Sequence, residues 1–471
     1  MNRRNIAELV NDIWDKSIIP ELIKYIKIPN KSPMFDPDWE RHGYMSEAVV
    51  QIKSWCEQQP INGMTVDVVT LEGRTPVLYI EIPGQGNDCI LIYGHLDKQP
   101  EMTGWREGLG PWTPVIKDGK LYGRGGADDG YSTFAAVTAI QALHEQSIPH
   151  ARCIILIESC EESGSFDLPY YIDSLADRIG TPNLVVCLDS GCGNYEQLWC
   201  TTSLRGSIGG ILTVQNLKEG VHSGDAGGII PSTFRILRQL LSRVENEDTG
   251  SIHLEGCNVE IPEQRKKQAE FAAQVLGTAV YDKFPLIDCA KPSTQKLADL
   301  VLNRTWRAAL EITGGDGLPP SANAGNVARP YTTARISIRI PPTCDPVKAA
   351  AELKLALERD PPYNSVITFD EETPCVGWDA PPLAPWLEES ADQASKFFFG
   401  KQAAYMGEGG SIPFMGMLGE RFPNAQFLIT GVLGPHSNAH GPNEFLHLEA
   451  GKRVTSCIAV IIAEHFRRLT A

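Results

Sequence analysis

The sequence has no C-x-x-C pair, no internal repeat and no low-complexity tract, and no apolar run approaches the roughly 18–20 residues of a membrane span. Without paired motifs, its 12 cysteines, spread from Cys56 to Cys457, read as free buried thiols of a reducing compartment. The first residues, Met1 to Asp12, contain no apolar leader core and carry acids early; they predict an amphipathic helix, and a cytoplasmic setting is expected. Basic residues are also in deficit. Lys and Arg total 42 against 58 Asp and Glu, a formal charge of −16, so nucleic acid and anionic membrane surfaces are excluded as main partners. The acidity reads as solubility.

What is present is a chain of 471 residues, long enough for more than one domain with its own core. Short apolar runs at Cys89–Tyr93, Cys153–Ile157 and Leu184–Leu188 alternate with helical patterns such as Tyr131–Leu143. That alternation predicts an α/β fold with a mostly parallel sheet covered by helices on both faces. Near Thr201–Gly206 the character changes. Strand patterns at Ile208–Val214 and Ala334–Ile340 and helical patterns at Ser232–Val244 and Val347–Leu357 predict a small inserted α+β domain, with a charged, irregular region through about Lys291. The Pro-rich stretch Thr373–Pro385 reads as the return crossing. The expected division is 1–202, 203–373 and 374–471, the first and last forming one domain.

Chemistry-bearing residues follow the apolar runs. His95 comes after the first, Glu161 and Glu162 after the second, and Asp189 after the third. Parallel α/β sheets place ligands at the carboxyl ends of their strands, so one shared site is expected. His95 and Asp97, two apart, can sit together, the carboxylate accepting the imidazole's second N–H. An isolated His-x-Asp would more often be an ordinary loop pair. Asp128 and Asp129 stand in Gly123-Arg124-Gly125-Gly126-Ala127-Asp128-Asp129-Gly130, before a helix. Asp129 reads as that helix's N-cap; Asp128, carried by a glycine turn, can bridge two metals with its two oxygens. His440 lies among turn residues and can reach a site from a loop. Histidine and carboxylate ligands suit Zn²⁺, Mn²⁺ or Co²⁺. One glutamate of the pair can bind metal while the other manages the proton of the attacking water.

Four phrases then carry a resemblance over nearly the whole chain: Tyr93-Gly94-His95-Leu96-Asp97, the Gly123–Asp129 stretch, Glu161-Glu162-Ser163-Gly164-Ser165 and Glu408-Gly409-Gly410-Ser411-Ile412-Pro413. The chain resembles the di-zinc metallopeptidases of family 20, the aminoacylase/carboxypeptidase clan, most of all the carnosinase and cytosolic non-specific dipeptidase branch. The resemblance implies a phosphorylase/hydrolase-like zinc-peptidase catalytic domain with an inserted α+β lid and dimerisation domain. It implies two divalent metal ions per subunit: Asp128 bridging, His95 and Asp189 completing one, Glu162 and His440 the other. Glu161 would be the general base, Asp97 would orient His95, and the peptide before Asp129 would be cis. His222 would reach into the partner's site of a homodimer. Asn326, Arg339, Gly409, Gly410 and Ser411 would contact a small peptide substrate, Arg339 at its terminal carboxylate. Three positions depart from the family pattern: Gly130 replaces a Lys, Asn326 a frequent Thr, and Gly407 a frequent Arg. Amide cleavage of a dipeptide is the first reading. An N-acyl-amino-acid amidohydrolase or carboxypeptidase is the second, and a non-catalytic metal-binding scaffold the third.

Overall fold

The computed structural model describes residues 1–410 and 412–468. Two compact units emerge: residues 1–202, 380–405 and 417–471 form the first, and residues 203–379 and 406–416 the second.

The first unit is built on a sheet in the order Thr65–Val69, Val77–Ile82, Arg152–Glu158, Cys89–His95, Leu184–Cys187, Gln426–Ile429, Trp199–Leu204. Its centre is parallel, because Cys89–His95 pairs in parallel with both Arg152–Glu158 and Leu184–Cys187, and Gln426–Ile429 continues that sense. The flanks are antiparallel, so the sheet is mixed and the expected parallel core is its middle. All seven residues of Cys89–His95 are buried, as a strand covered on both faces requires. Helix Ser132–His144 packs on it almost wholly buried, and helix Leu448–Arg467 packs against that helix. The first helix, Arg3–Ile13, is amphipathic and buries Ile6 and Val10.

Gly94 shows why this sheet end is crowded. A Cβ there would stand 2.3 Å from Ser132 Oγ and 2.7 Å from Asp129 Oδ2, so only glycine lets the helix start this close to the strand.

The second unit holds a four-stranded antiparallel sheet in the order Ala309–Asp316, Tyr331–Ile340, Gly206–Gln215, Val366–Glu371. Helices Thr233–Leu241 and Pro346–Glu358 cover it around Ile208, Leu212, Ile236, Leu240, Ile336, Ile338 and Leu353. The even positions from Thr332 to Ile340 are buried and the odd ones are not, the period-two pattern of a strand with one core face. The region expected to be irregular contains a 14-residue helix, Glu263–Leu276. Its buried face is Arg265, Ala269, Ala272 and Ala273, so the apolar stripe that announces a helix is nearly absent.

No disulfide joins the cysteines. Among the described residues no helix is long and apolar enough to cross a membrane.

Candidate dinuclear metal site

At the carboxyl ends of the parallel strands, five carboxylates and two imidazoles converge, all carried by the first unit. His95 is the last residue of its strand. Its Nδ1 lies 3.1 Å from the Asp97 carbonyl and 3.4 Å from Asp97 Oδ1, which fixes the ring and turns Nε2 inward. There Nε2 stands 3.3 Å from Asp128 Oδ1 and 3.7 Å from Asp189 Oδ2. On the other side, His440 Nε2 is 3.1 Å from Asp128 Oδ2 and 3.3 Å from Glu162 Oε2. The two oxygens of Asp128 thus face two different histidines. Each set, His95–Asp128–Asp189 and Asp128–Glu162–His440, gathers its donor atoms within 4.8 Å of one another.

The donor chemistry fits cations. Glu162 Oε2 accepts from Gln99 Nε2 at 2.6 Å, while its Oε1 is buried without a hydrogen-bond partner. A buried carboxylate oxygen with no donor is costly unless a cation meets it. Nitrogen and oxygen donors without thiolate suit a divalent ion of the zinc or manganese kind.

The electrostatics of the site agree. Burial works against charge on His95, but the bond to Asp128 and the negative Asp189 outweigh it and hold its pKa well above the usual value. Burial likewise opposes the Asp128 carboxylate, yet the two histidines keep its pKa low. Burial pushes Asp189 up to about 6. Burial, then the Asp189 charge, lift Glu161 well above the carboxylate range, and burial with Asp128 does the same to Glu162. Cations bound here would relieve so much confined negative charge.

Asp97 does more than orient His95. Its Oδ1 accepts from Glu161 N at 3.1 Å and its Oδ2 from Glu162 N at 3.0 Å. One carboxylate therefore holds both the histidine and the short turn Glu161–Ser163 that carries the paired glutamates. Glu161 belongs to neither donor set.

The peptide between Asp128 and Asp129 is cis. Asp129 is not the N-cap of the helix that follows; that position is Tyr131, which makes no side-chain cap. The chain turns once more before the helix begins, and Asp129 Oδ2 instead accepts from His95 N at 3.3 Å.

One feature of the site is invisible in the sequence. Arg124 and Glu444, 320 positions apart, form a buried ion pair, and Glu444 Oε1 also accepts from Gly125 N at 2.9 Å. Arg124 Nη2 donates to the Gly441 carbonyl at 2.8 Å, and Gly123 N to that of Glu444 at 3.0 Å. These bonds fasten the loop of His440, itself at a left-handed φ of 66°, to the turn that carries Asp128. Removing one partner leaves a buried charge. Glu444→Leu is expected to cost about 3–5 kcal/mol. Arg124→Met/Glu444→Leu is expected to cost less than that single change. Urea unfolding measures both, and a double variant less stable than Glu444→Leu would contradict the pairing.

The remaining candidates lie in the second unit. His222 Nδ1 accepts from Gly224 N at 3.1 Å, and the short strand Val221–His222 pairs with Val327–Ala328, next to Asn326. The Asn326 carbonyl accepts from Ser223 N at 2.9 Å, so the structure brings these two together. Arg339 lies opposite Ser207 and Ala309 in the sheet. The Gly409 carbonyl accepts from Arg205 Nε at 3.2 Å, and around Gly410 there is open space. Ser411 lies outside the described residues.

Comparison with known proteins gives one result. A family model described as peptidase family M20/M25/M40 matches residues 91–464. The chain is 25% identical over 387 residues to a cysteinylglycine-S-conjugate dipeptidase of Corynebacterium striatum, covering 80% of each chain. It is 25% identical over 400 residues to the human Beta-Ala-His dipeptidase, covering 80% of this chain and 76% of that one. Among solved structures, a di-peptidase of Saccharomyces cerevisiae superposes with a TM-score of 0.74 at 19% identity over 99% of both chains.

Proposed function

The chain belongs to peptidase family M20/M25/M40, in its dipeptidase branch, and is a metal-dependent hydrolase; from that premise we propose that it cleaves the amide bond of dipeptides bearing a free terminal carboxylate. The observation that carries the reading is the placement of Asp128 between two histidine-led donor sets, with Glu161 beside them and in neither.

His95, Asp128 and Asp189 would hold one divalent ion, and Asp128, Glu162 and His440 the second, zinc by preference. When bound, the ions would polarise the scissile carbonyl and make the attacking water more acidic. Glu161 takes the proton of that water and passes it to the leaving amine. Asp97 keeps His95 and the Glu161 backbone in place throughout. Arg339 binds the substrate's terminal carboxylate as a guanidinium fork, and Asn326 and the Gly409–Gly410 backbone hold the rest of that residue. The second unit serves as lid and dimerisation domain, with His222 of the partner subunit donating to the developing oxyanion. The unbridged cysteines support a reducing, cytoplasmic setting.

The test is amine release from dipeptides, tripeptides and N-acetyl amino acids by protein stripped of metal and reloaded with Zn²⁺, Mn²⁺ or Co²⁺. Metal-dependent cleavage confined to dipeptides is expected. Cleavage only of N-acetyl amino acids or longer peptides would replace the dipeptidase reading by the amidohydrolase or carboxypeptidase one. Sedimentation of the same preparation is expected to give a dimer, and a fully active monomer would remove His222 from the mechanism.

A further inference from the structure

The chain is acidic as a whole, yet several basic side chains cluster in one part of the second unit. Arg205 and Arg304 both contact the stretch Met406–Gly410, and Arg339 is close enough to Arg205 to depress its pKa. Burial first, then the charges of Arg339 and Arg304, lower Arg205 to about 10. Burial and Arg304 together lower Lys283 to about 8, opposed by Glu408.

The cations are not equivalent. Arg205 is buried and spends its guanidinium on the carbonyls of Gly409, Asn303 and Arg307, at 3.2, 3.1 and 3.1 Å. It is a strut. Arg304 is different. Its Nη2 stands 4.0 Å from Glu408 Oε2 and 3.4 Å from the Met406 sulfur, a weak acceptor, and the side chain is 27% exposed. A guanidinium has five N–H donors, so Arg304 retains capacity for an anion. It also adjoins the glycine loop: a Cβ on Gly409 would lie 3.3 Å from Arg304 Cγ and 3.4 Å from Arg205 Nη2.

We propose that Arg304 is a specificity-determining residue that takes a second carboxylate on the substrate, so that dipeptides ending in Asp or Glu are the preferred class. This rests on the reading in which Arg339 and the Gly409–Gly410 backbone hold the substrate's C-terminal residue. Arg339 takes the α-carboxylate, and Arg304 takes the one on the side chain. The two guanidiniums then meet a substrate end that carries two negative charges.

The experiment compares kcat/KM of the metal-loaded full-length protein on isosteric pairs, Ala-Glu against Ala-Gln and Ala-Asp against Ala-Asn. Wild type is expected to favour the acidic member by about 10- to 100-fold, the value of one charged hydrogen-bonded pair. Arg304→Gln is expected to abolish that preference through KM, leaving the amide members within about threefold. Arg304→Lys is expected to keep much of it, which a collapsed fold would not. Equal rates on both members by wild type, or an equal loss on both in Arg304→Gln, would overturn the proposal and leave the dipeptidase reading standing. Hydrolysis of none of the four by wild type would overturn both.

Discussion

Glu161→Gln is expected to lower kcat by about 10³-fold while both metal ions and the fold remain. Glutamine has nearly the same shape as glutamate and cannot accept the proton. The bond that positions this residue runs from its backbone N–H to Asp97 Oδ1, so the substitution leaves it intact. The residue lies in neither donor set, so metal content should not change. Its surroundings also explain its fitness. Burial and the Asp189 charge hold its carboxyl far above the ordinary range, as suits a group that must hold a proton, and cations in the adjacent donor sets would lower it. The checks are steady-state kcat with elemental analysis of the same sample. A kcat within tenfold of wild type, with two ions bound, would remove Glu161 from the role.

Asp128→Asn is expected to be as damaging for a different reason. The carboxylate presents Oδ1 to His95 and Oδ2 to His440. Asparagine supplies one oxygen and turns an NH₂ donor toward the other set, where a ligand is needed. Metal content should fall from two ions to one or none. Turnover should drop roughly 10³-fold, the several kcal/mol a lost cation supplies. The neighbouring Asp129→Asn makes the control. Asp129 Oδ2 accepts from the His95 backbone N–H, a bond an amide oxygen can also accept, so metal content should stay near two. Equal metal loss in both variants would mean that the pair acts through general acidity and not through Asp128 as a bridge.

The contrast between these two adjacent aspartates shows what the sequence makes legible. The strands Cys89–His95, Arg152–Glu158 and Leu184–Cys187 announce themselves because a buried parallel strand is a continuous apolar run. The residues at their ends then share a site by topology alone. That reasoning brings His95, Glu161, Glu162 and Asp189 together. It says nothing of whether Asp129 caps a helix, because an extra turn between Gly126 and Gly130 moves it away from the helix start. Nor does it reach Arg124 with Glu444, or Gln99 with Glu162, since side-chain pairs across the fold leave no periodic trace. The helix Glu263–Leu276 is hidden by a buried face of alanines and one arginine. In the second unit, the alternation at Tyr331–Ile340 is plain, while the cationic surroundings of Gly409 come from segments about one hundred and two hundred residues away in sequence.

The central claim is that two ions sharing Asp128 are needed for dipeptide hydrolysis. The most direct measurement adds Zn²⁺ stepwise to metal-stripped protein and follows both bound metal and Ala-Ala hydrolysis. The account predicts little turnover with the first ion and a rise with the second that levels off at two ions per chain. Full turnover at one ion, or none with two bound, would contradict it.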